Sequence, residues 1–511
     1  MNALLKKEIR TRMRGKTIFA IENVYLVLLT GIFLIVLAIS SAGRESFAWE
    51  TGRSLFETVN YVQILLLVIA SPTIVASAFT LEREQKTLDM LLATPLSLVQ
   101  IARTKLLASL SVFFVLVLVS LPMLSVCFIL GGVSPSEIFW AYFLTLEGIL
   151  LAGAIGLCYS ALLKRTLAAV PISSLTIIVF LIATLLIAKL LSPALGTLNP
   201  LYAFHLMTSR WTTKFFAFET PFWVPSLVLT SLLFLCVFSY TVEILNEEKR
   251  RTSSQPRALR LLFYCAMLLF LLSSTIEYGP RSADIAAGLE RFVWVSYLFC
   301  VAQAIVVSGG SLSGFERKKL LSSWKEKCLR LKGWLGPGLC VGPRYSLLIA
   351  FMSVVIFSFG AFQVDMVKRR MLSILLVGCL FVTGTLTCAM LARFFSLVRR
   401  TKGNSLPRIL ASFCFLIVLV APHLITYVHR RGKTEIPETA WDLSVFFSPL
   451  IALGYAVEPT RTPASYPYCA KLLGSVPFSV VTSLLYFSLL IVLWALNLRW
   501  ERKIRLSTEQ I

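Results

Sequence analysis

Apolar residues along this chain gather into long blocks instead of alternating with polar ones. The blocks run approximately over 24–40, 55–80, 106–130, 138–162, 167–188, 222–242, 259–274, 292–313, 346–362, 371–392, 409–428 and 475–498. Most have the length of about 20 residues that a helix needs to cross a hydrocarbon core of about 30 Å. In lipid a backbone must satisfy its own hydrogen bonds, so each block is expected to be an α-helix. The pattern predicts an all-α, polytopic integral membrane protein of about twelve transmembrane helices. The seventh and ninth blocks are short enough for a partly re-entrant course.

Composition agrees. Of 511 residues, 57% are hydrophobic and 15% charged, whereas soluble domains run near 45–50% and 25%. No single soluble core could hide so many apolar blocks. The net charge of +23 belongs to the helix ends, where Lys and Arg meet anionic lipid. No basic stretch is long enough to form a nucleic-acid-binding domain of its own, so nucleic acid is not an expected partner. With the first residues inside, the inner segments hold 34 of the 49 Lys and Arg residues. The positive-inside rule then places both termini in the cytoplasm of a multi-pass protein of the cell (inner) membrane. Lys368, Arg369 and Arg370 go against this count, since they fall on the outer side.

Met1–Lys16 sets Leu4, Leu5, Ile9 and Met13 against Lys6, Lys7, Arg10 and Arg14, the pattern of an amphipathic helix lying in the interface. It is too basic and too long to read as the start of a cleavable signal peptide. Of eleven cysteines, eight lie in apolar blocks as small hydrophobes, Cys328 and Cys340 share a basic loop, and Cys469 stands alone outside. Neither a disulfide framework nor a zinc site is indicated.

The chain also looks like two six-span halves, 1–250 and 251–511. Each starts with a basic segment and has a charged inner loop after its second span. Asn199-Pro200-Leu201 and Ser448-Pro449-Leu450 follow the fifth span of each, and Thr230–Phe234 parallels Thr482–Tyr486 in the sixth. An even number of spans per half makes this a parallel repeat.

The most informative segment lies in the inner loop 81–105 and runs Leu81-Glu82-Arg83-Glu84-Gln85-Lys86-Thr87-Leu88-Asp89-Met90-Leu91-Leu92-Ala93-Thr94-Pro95-Leu96-Ser97. Leu88, Leu91, Leu92 and Leu96 fall at helical spacing. Glu82, Glu84 and Asp89 crowd the amino-terminal part, where a helix dipole favours acids. Thr94-Pro95 ends the helix, and Ser97 can cap the next one, which carries Arg103 and Lys105 into the third span. The expected object is an amphipathic strut at the membrane surface with an apolar face free to dock a partner.

Here the sequence resembles the permeases of type-2 ABC exporters, whose hallmark is Glu-Arg-Glu-x-Gly-Thr-Leu-Glu leading through leucines to Thr-Pro-Leu-Ser. The match falls on Glu82, Arg83, Glu84, Thr87, Leu88, Leu91, Leu92, Thr94, Pro95, Leu96 and Ser97; the chain departs at Lys86, where the family has Gly, and at Asp89 for Glu. It is convincing over residues 1–250. The resemblance implies that Glu82–Ser97 is the coupling helix and touches a cytoplasmic ABC ATP-binding subunit, expected in two copies. A P-loop needs G-x-x-x-x-G-K-[ST]; Gly15-Lys16-Thr17 and Gly432-Lys433-Thr434 have Arg10 and Tyr427 where the first glycine belongs. ATP and Mg are therefore expected in the separate subunit, with no cofactor bound by this chain and no covalent chemistry of its own.

Glu147 sits mid-span, where a charge is costly and must be paired, protonated or facing water. Asn60 and Gln63, one turn apart in the second span, are candidates to line an intramembrane polar path with it, or to serve helix packing. His205, His423 and His429 are dispersed, and no metal site is expected. Prolines 72, 122, 171 and 422 can kink their helices. An ion-gradient-driven transporter of two six-span halves would carry a Gly-x-x-x-Asp-Arg-type loop motif in place of the Glu82 run. A polytopic membrane enzyme would need converging groups that the outer loop 429–474 does not offer. The substrate is not legible.

The second inner loop begins Gly314-Phe315-Glu316-Arg317-Lys318-Lys319 but lacks Thr-Pro-Leu-Ser, so coupling is expected to be asymmetric. Reversing charges in the 82–84 run is expected to abolish transport and the same change at 316–319 to reduce it less; equal losses would refute the asymmetry.

Overall fold

The computed structural model describes residues 3–13, 16–42, 48–190, 193–209, 212–215, 218–248, 255–277, 292–301, 341–363, 367–398 and 478–509, with Leu289, Gln303, Ala304 and residues 452–453. Two compact units are present, Met1–Phe270 and Leu271–Ile511. Eight described helical stretches are long and apolar enough to cross a membrane. Three shorter apolar helices, Leu259–Ser273, Phe292–Val301 and Tyr345–Phe359, coincide with the seventh to ninth expected spans. The span expected at 409–428, the tripeptide at 448–450 and the loop at 314–340 lie outside the described residues, as does nearly all of 429–474. The chain is a polytopic helical membrane protein.

The first unit runs α1 (Ala3–Met13), α2 (Lys16–Ala42), α3 (Ala48–Val75), α4 (Ser77–Glu84), α5 (Leu88–Ala93), α6 (Leu98–Val119), α7 (Leu121–Leu130), α8 (Pro135–Leu162), α9 (Thr166–Leu190), α10 (Pro193–Gly196), α11 (Pro200–Thr208) and α12 (Trp223–Glu248). Between α11 and α12 stands an antiparallel hairpin of β1 (Thr212–Phe215) and β2 (Phe218–Pro221), with Thr212 opposite Pro221 and Phe215 opposite Phe218. This short hairpin leaves the all-α class unchanged.

The bundle is organised around α3 and α8. Every fourth residue of α8 on one face is small: Gly148, Ala152, Gly156 and Ser160, all buried. Small residues let helix backbones approach in a membrane, where no hydrophobic force draws helices together. A Cβ on Gly156 would lie 2.8 Å from Pro72 Cα and 2.9 Å from its carbonyl oxygen. Pro72 has no N–H to give Val68, and the freed carbonyl accepts the Ser71 hydroxyl at 3.2 Å. One turn later the helix breaks at Ala76 and restarts as α4. The amides of Phe79 and Thr80 donate to Ser160 Oγ at 2.7 and 3.2 Å. Pro122 likewise falls just after the α6–α7 break at Ser120.

The seventh and ninth blocks lie in the 23-residue helices Gln255–Glu277 and Val341–Gln363, whose apolar stretches are short. After α9 the chain folds back into the bundle. Asn199 Nδ2 donates to Leu181 O at 2.8 Å, nine residues or about 13 Å short of the α9 end, and Pro200 packs against Gly148 in mid-α8. Asn199 also donates to Thr184 Oγ1 at 3.1 Å and accepts from the Leu201 amide at 2.9 Å, capping α11. Non-helical backbone at this depth is tolerated because protein surrounds and satisfies it.

Outward faces are apolar, as lipid contact demands: Val24, Val27, Leu34 and Ile39 on α2, and Leu175, Val179 and Ile182 on α9. In the second unit the helix Val367–Val398 packs between Val341–Gln363 and Phe478–Glu509. Lys368, Arg369 and Arg370 form its first turn. Asn497 Nδ2 donates to Met390 O at 3.1 Å.

Gly156→Leu is expected to lower stability in mild detergent by about 1–3 kcal/mol, because backbone, not a flexible side-chain tip, occupies the space. Gly31→Leu is the control, since nothing lies within 4 Å of its Cβ position. Thermal unfolding followed by size-exclusion chromatography reads the difference; equal melting of the two variants would contradict the close α3–α8 contact.

Candidate functional site

The Glu82-Arg83-Glu84 run is the last turn of α4 rather than the start of the following helix. The chain leaves α4 through a Schellman turn: the Thr87 amide donates to Glu82 O at 2.9 Å and the Lys86 amide to Arg83 O at 3.2 Å. This turn needs a residue in the left-handed region, and Lys86 has φ 58°. That geometry accounts for the glycine in the family pattern at this position. The acids of the run therefore do not serve the dipole of α5; only Asp89 lies in its first turn.

Each residue of the run addresses a different neighbour. Arg83 donates to Leu163 O at 2.6 Å and Ala161 O at 3.2 Å, closing the carbonyl end of α8. Glu84 accepts the Thr166 amide at 2.8 Å at the amino end of α9. Opposite charges thus meet opposite helix poles across one turn. Glu82 Oε1 accepts from Lys105 Nζ at 2.8 Å, and the same ammonium reaches Glu8 Oε1 of α1 at 2.6 Å. The Thr87 hydroxyl bonds the other Glu82 oxygen. Lys105 is only 3% exposed. A buried ammonium demands compensation, and here two carboxylates from two other helices supply it.

The strut itself is α5. Leu88 and Leu92 are buried and Leu91 half-buried against Val75, Phe79, Ile101, Leu157 and Leu245. The apolar face expected to be free for a partner is thus occupied by the protein itself. What α5 presents outward is Asp89, Ala93 and Met90, the last 74% exposed. Thr94, extended at ψ 155°, ends the helix, and its hydroxyl donates to Leu91 O at 2.7 Å. Pro95 is exposed. Ser97 and Gln100 then form a reciprocal capping box that starts α6. Sequence reasoning found the strut, its stop and the next cap. It missed Glu8 and Lys105 as a pair, because nothing local links residues 97 positions apart.

Of the three intramembrane candidates, Asn60 and Gln63 are fully buried on α3. Asn60 Nδ2 donates to Phe56 O at 2.8 Å; its Oδ1 and both polar atoms of Gln63 have no hydrogen-bond partner among the described residues. Glu147 stands apart from them, at α12 instead. Its carboxylate accepts from Thr230 and from Ser226 Oγ, the latter at 3.3 Å, and Ser226 also reaches Thr197 O of the re-entrant segment at 3.3 Å. Glu147 therefore joins α8, α12 and the re-entrant tip. His205 sits 3.4 Å from Tyr61 Oη; His423 and His429 lie outside the described residues.

Lys86→Gly is expected to slow exchange of the Thr87 amide about three-fold by relieving the left-handed strain, net of glycine's greater freedom when unfolded. Lys86→Val is expected to speed it. Amide exchange in detergent checks both, and acceleration by the glycine would show that φ is not the constraint.

Residues 1–204 match the family model described as ABC-2 type transporter. No curated protein and no solved structure matches the chain. The matched region takes in α1, the α4–α5 elbow, Lys105 and the start of the re-entrant segment up to Phe204. Residues 1–204 thus carry the match to an ABC-2 type transporter domain, consistent with an ABC-2 permease.

Proposed function

We propose that this chain is the membrane-spanning permease of an ATP-driven exporter and that the α4–α5 elbow, Glu82–Ser97, receives a separate cytoplasmic ATP-binding subunit. The observation that carries this reading is the seating of α5. Its leucine face is locked into the bundle while Asp89, Met90 and Ala93 face outward. A push on that outer face reaches α8 and α9 through Arg83 and Glu84, and α1 and α6 through Glu82 and Lys105. In this scheme two copies of the partner bind ATP and Mg, and their closure drives outward transport by alternating access. The second half of the sequence, residues 251–511, completes the permease in this scheme. Both termini lie in the cytoplasm of the inner membrane. Asn60 and Gln63 supply polar groups along the path, and Glu147 ties the re-entrant tip to it.

The test keeps the fold and changes only the outer face. The tagged protein, extracted from its native membrane in mild detergent, is expected to bring down an ABC ATP-binding subunit in stoichiometric amount. Met90→Asp is expected to reduce that capture at least about ten-fold, since a buried apolar contact of about 1.5 kcal/mol or more is lost. The variant is expected to keep the wild-type melting temperature. Absence of any ATPase under conditions that preserve a known ABC complex would refute the reading.

A further inference from the structure

The first helix carries a feature that the coupling reading does not use. Along α1, Leu5, Ile9 and Met13 are half-buried, while Lys6 and Arg10, one turn apart, are exposed. The single acid of α1, Glu8, turns inward to Lys105 at 2.6 Å. Its outward strip is therefore cationic, with no acid on α1 itself to neutralise it. Lys7, also exposed, interacts with Glu82. Further exposed cations stand on the inner end of the same unit, Arg103 on α6 and Lys164 and Arg165 after α8.

Depth identifies the partner. Only two residues separate α1 from α2, the first span, so α1 stays close to the membrane surface. Its anchor, Lys105, lies seven residues into α6, about 10 Å above Leu98 where that helix begins. Glu8 therefore meets α6 about two turns nearer its membrane-spanning part than the α5–α6 turn at Ser97, which sets α1 on the membrane side of that turn. An amphipathic helix at that level, half-buried by its apolar side and basic on its outer side, suits anionic phospholipid better than an acidic protein surface.

We propose that α1 binds anionic phospholipid headgroups through Lys6 and Arg10, and that the Glu8–Lys105–Glu82 bridge passes this seating to the elbow. One ammonium holds both carboxylates. When α1 is drawn to the membrane surface Glu8 stays on Lys105, and the lysine is fixed in the position that also holds Glu82 at the end of α4. When α1 lifts, Lys105 keeps one carboxylate of two, and the Schellman turn below Glu82 loses part of its support. The charge of the surrounding leaflet thereby sets the order of the elbow, with or without an ATPase present.

The experiment uses the full chain in nanodiscs of phosphatidylcholine alone or with about a quarter phosphatidylglycerol. Amide exchange is read over 3–13 and 84–97. Phosphatidylglycerol is expected to slow exchange in both segments, and about 0.5 M salt to remove the effect. The double variant Lys6→Gln/Arg10→Gln is expected to lose the lipid dependence in both. Glu8→Gln is expected to keep it in α1 and lose it in the elbow. Exchange across α8 serves as the check on folding, and Glu8→Asp replaces the glutamine variant if α8 opens. Identical exchange in the two lipids, persistence in the double variant, or an elbow in Glu8→Gln that still follows the lipid would each overturn the proposal. No ATPase enters this experiment, so its failure leaves the permease reading standing.

Discussion

One buried ammonium holds the working end of this protein together. Lys105, 3% exposed at the foot of α6, lies 2.6 Å from Glu8 and 2.8 Å from Glu82. Leaving such a charge without a partner costs several kcal/mol, so α1, α4 and α6 have to stay in register. With the ammonium buried, little water can replace a missing carboxylate, and the bridge ties the short helix α1 to the long apolar helix α6.

The rest of the elbow follows from the same logic of opposite charges at helix poles. Arg83 closes the end of α8 and Glu84 the start of α9, so three consecutive residues grip four helices. The Schellman turn at Lys86 then redirects the chain sharply enough for α5 to lie back on the bundle with Leu88 and Leu92 inside. Above the elbow, Gly156 and Ser160 let α8 run against the broken α3–α4 helix and satisfy the amides freed there. The elbow is therefore continuous with a close backbone contact between α3 and α8.

Much of this was legible in the sequence. Spans follow from apolar block length, and the strut's leucines, its Thr94-Pro95 stop and the Ser97 cap are local signals with local causes. The Glu-Arg-Glu run was located but misassigned to α5, because a Schellman turn with Lys in place of Gly leaves no local mark of a helix end. Which leucine face is free could not be read either: periodicity shows that α5 has an apolar side, and only packing shows that the unit fills it. The re-entrant segment was invisible because its support is tertiary, from Asn199 to Leu181 and Thr184. Glu147 was identified from its depth alone, and its partners Ser226 and Thr230 lie some eighty residues away on α12.

The central claim is that the outer face of α5 meets an ATP-binding subunit. A photo-crosslinking amino acid at position 90, activated in native membranes, tests it most directly, with position 92 on the buried face as the internal comparison. The account predicts that position 90 captures an ABC ATP-binding subunit and that position 92 captures only segments of this chain. Crosslinks from position 90 to lipid alone, with no ATP-binding protein, would contradict it.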